Sequence, residues 1–363
     1  MNYLLMDIYT ILCKYDETYD EETFKQLFKT NETLLSKLKT KKNKIDHQKN
    51  WDVAKKFANT YEFIFSFNND GVADIVPISR SYFKLVEILT DNSILSNTDI
   101  IKACCLCEGP GGFIQAINDI YHGKHIHPID CITLISNDKK IPNWKLNQIS
   151  NYRVHYGKDK TGNLYDVANI HHFVEAVGKQ SCNLVTADGG FDFSKDFNSQ
   201  EQDFLLLLLC EIYTCLNVQA EGGVFIVKVF DLFQIHTINL LSILRMFYNT
   251  ITIQKPKTSR PANSEKYLIC SGFLVDNISL ISKIEEKIKL NNSDLSDIIP
   301  NYMKLDTLRH VVEYNDRFVA SQIYHIEKTL YLIKTNYFNK KENIKYCIDW
   351  CKKYNIPIKS NWV

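Results

Sequence analysis

The feature that most constrains this chain is a central region in which short, continuously apolar runs alternate with stretches of helical rhythm. The runs fall at residues 103–107, 131–136, 152–155, 184–187 and 223–229, with helical patterns at 112–121 and 202–216 among them. A run that stays apolar on successive residues, rather than on every second one, belongs to a strand covered on both faces. Interleaved helices supply that cover, so the expectation is a doubly wound α/β fold around a mainly parallel, Rossmann-like sheet. A helix over about 232–248 and a final strand pair, 250–254 with 266–270 and 272–275, complete the pattern.

At 363 residues the chain exceeds the ordinary size of one domain. Residues 1–74 and 279–363 read as helical N- and C-terminal extensions around a core at 75–278. Leu34, Leu35, Leu38, Trp51, Val53, Ala54, Phe57 and Ala58 mark inward faces of the first extension, and 306–332 is the strongest helical stretch of the second. A formal net charge of +1 excludes a globally basic nucleic-acid binder and leaves only local patches. One patch, Lys37, Lys39, Lys41, Lys42 and Lys44, reads first as a solvated helix face. The other is Lys255, Lys257, Arg260 and Lys266.

Eleven cysteines scattered through a long chain, several of them in apolar runs, read as reduced buried thiols rather than a disulfide framework. Cys104 and Cys107 would face opposite sides of a strand. With Cys347 and Cys351, and with His122, His125 and His127, they give no convincing ligand set, so no metal is expected. Residues 1–7 lack a basic leader, and the longest apolar run, 204–210, stops at Glu211, too short to cross a bilayer. The expectation is a soluble, intracellular protein with no membrane partner.

Between the first core strand and the helix at 112–121 lies the turn Glu108-Gly109-Pro110-Gly111-Gly112-Phe113. Glycines at a helix start let the backbone approach a ligand closely. No Gly-Lys-Ser/Thr follows, so the turn is not a P-loop. The third glycine of G-x-G-x-x-G is missing too, and the carboxylate closing the second strand is displaced to Asp138, which weakens a nicotinamide reading. Asn137 and Asp138 after the second strand, and Asp159 after the third, stand where open α/β sheets bind ligands, with plain surface turns as the alternative.

Four charged residues complete the pattern: Lys84 after Ser79-Arg80-Ser81-Tyr82-Phe83, Asp188 before Gly189-Gly190, Lys228 between Val227 and Val229, and Glu265 after Ser259-Arg260-Pro261-Ala262-Asn263-Ser264. Taken singly, each has a plain reading as an exposed helix lysine, a turn aspartate, an edge-strand charge or a surface partner of Lys266. Lys228 is the hardest to dismiss, because charges are rarely buried without a partner.

In this chain order the Lys-Asp-Lys-Glu set and the Pro-Gly-Gly turn resemble the FtsJ-like family of S-adenosyl-L-methionine-dependent RNA ribose 2′-O-methyltransferases, over roughly residues 75–275. Residues 255–267 are most similar to the branch that modifies capped messenger RNA, cellular and viral. Richness in Lys, Asn and Ile suits an AT-biased genome such as that of a large DNA virus or a protist. The resemblance implies a Rossmann-like methyltransferase sheet closed by one antiparallel strand. It implies S-adenosyl-L-methionine as cofactor, bordered by Glu108, Gly109, Pro110, Gly111, Gly112, Phe113, Asn137, Asp138, Asp159 and Asp188. The expected reaction is methylation of the ribose 2′-hydroxyl of a 5′-terminal transcribed nucleotide.

The same resemblance implies that Lys228 steers and deprotonates the hydroxyl, that Lys84 tunes it and contacts substrate, and that Asp188 and Glu265 orient the amines. Lys84 would destabilise the Lys228 ammonium and the two carboxylates would stabilise it, so the sum stays open. Arg80, Lys257, Ser259, Arg260 and Asn263 are the implied contacts to substrate RNA. The implied partners are a capped mRNA 5′ end, other capping enzymes or RNA polymerase, and no DNA. The setting would be nucleus or cytoplasm, or a viral factory or virion for a viral protein. Two alternatives remain: a ribosomal or transfer RNA 2′-O-methyltransferase, and a catalytically silent FtsJ-like module that binds RNA in a capping complex.

Overall fold

The computed structural model describes residues 8–15, 17–45, 48–66, 70–138, 140–190, 199–275 and 278–362. Residues 1–7, read above for a leader, lie outside the described residues. Strands β1 (Ile8–Leu12), β2 (Ala103–Leu106), β3 (Ile129–Ile132), β4 (Tyr152–His155), β5 (Cys182–Ala187), β6 (Gln219–Val229), β7 (Tyr248–Gln254) and β8 (Lys266–Phe273) form one sheet. Their order is β1-β7-β8-β6-β5-β2-β3-β4. The five strands from β4 to β6 are parallel neighbours, as their apolar runs required. Every residue of β2 and β3 is buried, because helices cover both faces.

One face carries α3 (Ser81–Asp91) and α4 (Gly112–Ile120), with α10 (Lys341–Lys353) in the same hydrophobic cluster. Across the sheet, α5 (Val167–Val177), α6 (Gln200–Val218), α7 (Ile235–Phe247) and α8 (Ile278–Lys289) form the second cluster, which extends to α9 (Asn301–Thr335). The long α9 also packs on α1 (Glu21–Lys42) and α2 (Trp51–Ala58), so both extensions share cores with the central region. Asp20 starts α1 by accepting from the Thr23 amide at 2.9 Å.

Three details differ from the sequence reading. The first extension opens with a strand, β1, which pairs antiparallel with β7 at the sheet edge. Two strands, β8 and β1, therefore run against the rest instead of one. The run at 131–136 leaves the sheet after Ile132, and the Ile135 amide donates to the Thr161 carbonyl at 2.8 Å. Among the described residues no helix is long and apolar enough to cross a membrane, and no cluster of three or more His, Cys, Asp or Glu could hold a metal ion.

Candidate active site

Strand β2 is where the parallel order reverses, with β3 on one side and β5 on the other, and a crevice opens beyond its carboxyl end. The glycine turn occupies that end. Gly111 has φ +119°, a left-handed conformation that favours glycine, and a Cβ there would lie 2.3 Å from Leu146 Cδ2. A Cβ on Gly112 would lie 2.3 Å from both Ser79 Oγ and Ser81 Oγ. Those serines bond each other rather than capping α3, whose N-cap residue, Arg80, makes no side-chain cap. The close approach seats the start of α3, and with it Lys84, beside the turn.

Glu108 is buried, and neither of its oxygens has hydrogen-bond geometry to a partner among the described residues, although Thr186 and Cys105 lie close by. Burial, reinforced by Asp188, pushes its pKa well above the carboxylate range. Phe113 points into the core, its ring 6.0 Å from that of Tyr267. Asn137 and Asp138 are exposed, and Asp138 closes its own turn by accepting from the Lys140 amide at 2.9 Å. Asp159 is likewise exposed and accepts from the Thr161 amide and hydroxyl at 2.9 and 2.7 Å. From the 137–150 loop, Pro142, Trp144 and Leu146 lie against the glycine turn, and the Lys145 amide donates to the Pro110 carbonyl at 3.0 Å.

Register brings three of the four charged residues together. Ala187 pairs with Val227 and Lys228 with Tyr267, so Asp188, Lys228 and Glu265 stand at neighbouring strand ends. Lys228 Nζ lies 3.2 Å from Asp188 Oδ1 and donates to the Asp188 backbone carbonyl at 2.8 Å. Lys84 Nζ reaches across from α3 to lie 2.7 Å from Glu265 Oε1 and 2.9 Å from Oε2. Tyr267 donates to Asp188 Oδ1 at 2.9 Å, and Ser259 to Glu265 Oε1 at 2.8 Å.

The site resolves the sum that sequence left open. Burial alone would raise the Glu265 pKa, yet the Lys84 and Lys228 ammonium groups outweigh it and hold the carboxyl well below its ordinary range. Burial pulls the Lys228 pKa down, but Asp188 and Glu265 outweigh that, and the net shift is upward. Lys228 at rest is an ammonium. Gly190 leaves room for it, since a Cβ there would sit 3.1 Å from Lys228 Nζ, and Gly189 leaves room for Glu211, whose Oε1 would lie 2.2 Å from an added Cβ. Burial pushes the Glu211 pKa up to about 8 against the pull of Lys228.

Of the residues expected to meet RNA, Arg80, Lys257 and Arg260 are held by two buried glutamates, Glu62 and Glu87, while Ser259 bonds Glu265. Arg260 Nε and Nη2 donate to the Glu62 carboxylate at 3.0 and 2.7 Å, while Arg80 Nη2 lies 3.4 Å from it and Arg80 Nη1 donates to the Glu62 carbonyl at 3.0 Å. The Lys257 and Thr258 amides donate to the Glu87 carboxylate of α3 at 2.5 and 3.2 Å. Asn263 accepts from Lys255 at 2.7 Å. Beside Glu265 opens a cavity of about 260 Å³ whose lining includes Lys42, Trp51, Phe230, Arg260, Asn263 and Gln322.

Residues 77–273, more than half of the chain, match the family described as FtsJ-like methyltransferase. The chain belongs to this family. Cap-specific mRNA (nucleoside-2′-O-)-methyltransferase 2 of Drosophila melanogaster is 30% identical over 301 residues, 76% of this chain and 42% of that protein. Cap-specific mRNA (nucleoside-2′-O-)-methyltransferase 1 of Dictyostelium discoideum is 30% identical over 318 residues, 80% of this chain and 42% of that one. A Caenorhabditis briggsae relative named inactive cap-specific mRNA (nucleoside-2′-O-)-methyltransferase 1B is 27% identical, covering 78% of this chain and 34% of its own length. The chain thus spans less than half the length of these relatives.

In this FtsJ-like site, sequence reasoning passed over Glu62, Glu87, Glu211 and Tyr267. Tyr267 carried a signal, because it lies two residues after Glu265 at the start of a strand, where alternation puts it on the same side. Glu62 and Glu87 carried none, since only the tertiary fold brings them to residues 257–260.

Proposed function

We propose that this chain is a cap-specific mRNA (nucleoside-2′-O-)-methyltransferase, moving a methyl group from S-adenosyl-L-methionine to the ribose 2′-hydroxyl of a 5′-terminal transcribed nucleotide. One observation carries the reading: Lys84 pairs with Glu265 and Lys228 with Asp188 at adjacent strand ends of an FtsJ-like core. One relative bears the name inactive, so kinship alone does not decide activity. The intact, mutually paired set favours a working enzyme.

The switch-point residues fit the cofactor. Gly109, Gly111 and Gly112 expose backbone at the α4 N-terminus, and Glu108 offers a buried carboxyl group whose hydrogen-bonding capacity is unmet. Asp188 supplies a carboxylate between this turn and Lys228. Bound there, S-adenosyl-L-methionine supplies an electrophilic methyl group on a sulfonium. In its ammonium form Lys228 donates to the 2′-oxygen and fixes its direction, and in its neutral form it takes the proton that the hydroxyl releases. Such positioning is worth roughly 7 to 11 kcal/mol in favourable cases, more than proton transfer alone. Lys228 accepts the proton only in its neutral form, whose fraction grows as pH rises toward its elevated pKa.

A ribose 2′-hydroxyl marks RNA rather than DNA. The cavity beside Glu265 joins the aromatic faces of Trp51 and Phe230 to Lys42 and Arg260, a combination suited to a stacked nucleobase and its phosphates. The test is radiolabelled methyl transfer to capped and uncapped RNA of one sequence, with nuclease mapping of the product. Label confined to the 5′-terminal nucleotides of capped RNA supports the proposal. Equal label on uncapped or internal positions replaces it with ribosomal or transfer RNA methylation, and RNA binding without label replaces it with the silent module.

A further inference from the structure

We infer that Lys255 is a positioning residue whose ammonium clasps the segment 256–265 shut and thereby sets where Glu265 stands against Lys84 and Lys228. The reaction it serves rests on the function proposed above; the clasp itself does not.

Strand β7 ends at Gln254 and β8 begins at Lys266, so 255–265 is an excursion that carries the tetrad glutamate at its far end. Lys255, at the near end, sends Nζ to three acceptors: Asn263 Oδ1 at 2.7 Å, the Asn263 carbonyl at 3.0 Å and the Glu265 carbonyl at 2.7 Å. An ammonium has three N–H donors, and each has an acceptor here. Local turns, Ser259 amide to Pro256 carbonyl at 2.9 Å and Asn263 amide to Arg260 carbonyl at 3.1 Å, shape the excursion without joining its ends. Glu265 is consequently held twice. Lys255 grips its backbone carbonyl, while Lys84 and Ser259 grip its carboxylate.

The surroundings make this grip sensitive to protonation. Burial pulls the Lys255 pKa down to about 7, helped by Lys266 of β8 and Lys84 of α3, and opposed by Glu265 and by Asp231 after β6. From α9 the Phe318 ring faces the ammonium at 5.8 Å, and His325 lies within electrostatic reach. A neutral amine keeps two N–H donors, so one of the three acceptors is then abandoned.

The experiment compares wild type with Lys255→Met and Lys255→Arg. Single-turnover methyl transfer to capped RNA is followed across pH, and hydrogen exchange of the 256–265 amides is measured in parallel. Lys255→Met should lose about 10²-fold in rate, the scale of a small misplacement, with KM for the methyl donor unchanged and faster exchange confined to 256–265. Lys255→Arg, charged at every working pH, should recover most of the rate and keep climbing with pH where wild type flattens above about pH 7. A Met variant with wild-type rate and exchange overturns the inference, as does an Arg variant no better than Met. A wild type that transfers no methyl group sinks the proposed reaction, and the exchange measurement still decides the clasp.

Discussion

Asp188 holds Lys228 from two directions: its carboxylate lies 3.2 Å from Nζ, and its backbone carbonyl accepts from the same nitrogen at 2.8 Å. The carbonyl fixes position and cannot titrate, whereas the carboxylate raises the lysine pKa. Asp188→Asn should therefore leave the amine in place while removing the charge that stabilises its protonated form. The neutral fraction at a given pH rises, so the ascending limb of the rate profile should move to lower pH while the maximal rate falls. A limb that stays put in single-turnover measurements would contradict the role given to this carboxylate.

Replacing Lys228 itself is the direct test of the site. Lys228→Ala should lower single-turnover methyl transfer by about 10²- to 10⁴-fold, the usual range for a proton-handling group. Calorimetry should find donor binding nearly intact, because the glycine turn is untouched. A rate close to wild type would remove Lys228 from the chemistry.

A side chain at Gly190 would crowd Lys228. An added Cβ would meet Nζ at 3.1 Å, tight enough to displace the amine without unfolding the chain. Gly190→Ala should reduce the rate by about tenfold with an unchanged melting temperature, since small errors in alignment are costly. An unaltered rate would mean that the amine has slack.

Glu62 neutralises Arg80 and Arg260, and among the described residues neither forms a salt bridge with another carboxylate. Glu62→Gln keeps the shape but leaves adjacent guanidinium groups repelling each other. The expected cost is about 3 kcal/mol of folding stability in chemical denaturation, with weaker capped-RNA binding and donor affinity preserved. Undiminished RNA affinity would separate Arg80 and Arg260 from substrate.

Burial pushes the Glu87 pKa up to about 7, despite the amides of Lys257 and Thr258 that favour its charged form. The folded-state value exceeds the unfolded one, so its stabilising contribution is complete below about pH 4.5 and is lost as pH rises to about 7. The full swing is on the order of 3 kcal/mol. Glu87→Gln should flatten that decline in denaturant titrations at successive pH values, and an unchanged slope would mean that other groups cause it.

Much of this architecture was legible because parallel strands and their lone charges contrast sharply with their surroundings. Lys228 between Val227 and Val229 is such a contrast, and so is Asp188 at the end of the buried β5. Strand β1 was hidden, since only Tyr9 and Ile11 turn inward and the outward Ile8 and Leu12 are apolar as well, which blurs the alternation in the sequence. The apolar run at 131–136 misled for the opposite reason. Leu134 and Ile135 are exposed at 37% and 41% along the crevice side of the sheet, where apolar character does not mean strand. Glu62 and Glu87 act across long separations, and local pattern holds no trace of such partners.

Trp350 of α10 directs its indole N–H to Glu87 at 3.3 Å, on the carboxylate that tethers Lys257 and Thr258. The C-terminal helix is thus the rear buttress of the arm that presents Arg260 and Glu265. Shearing it away would leave that carboxylate to water and let the arm drift, so a lesion remote from Lys84, Asp188, Lys228 and Glu265 would disturb their arrangement while leaving all four in place.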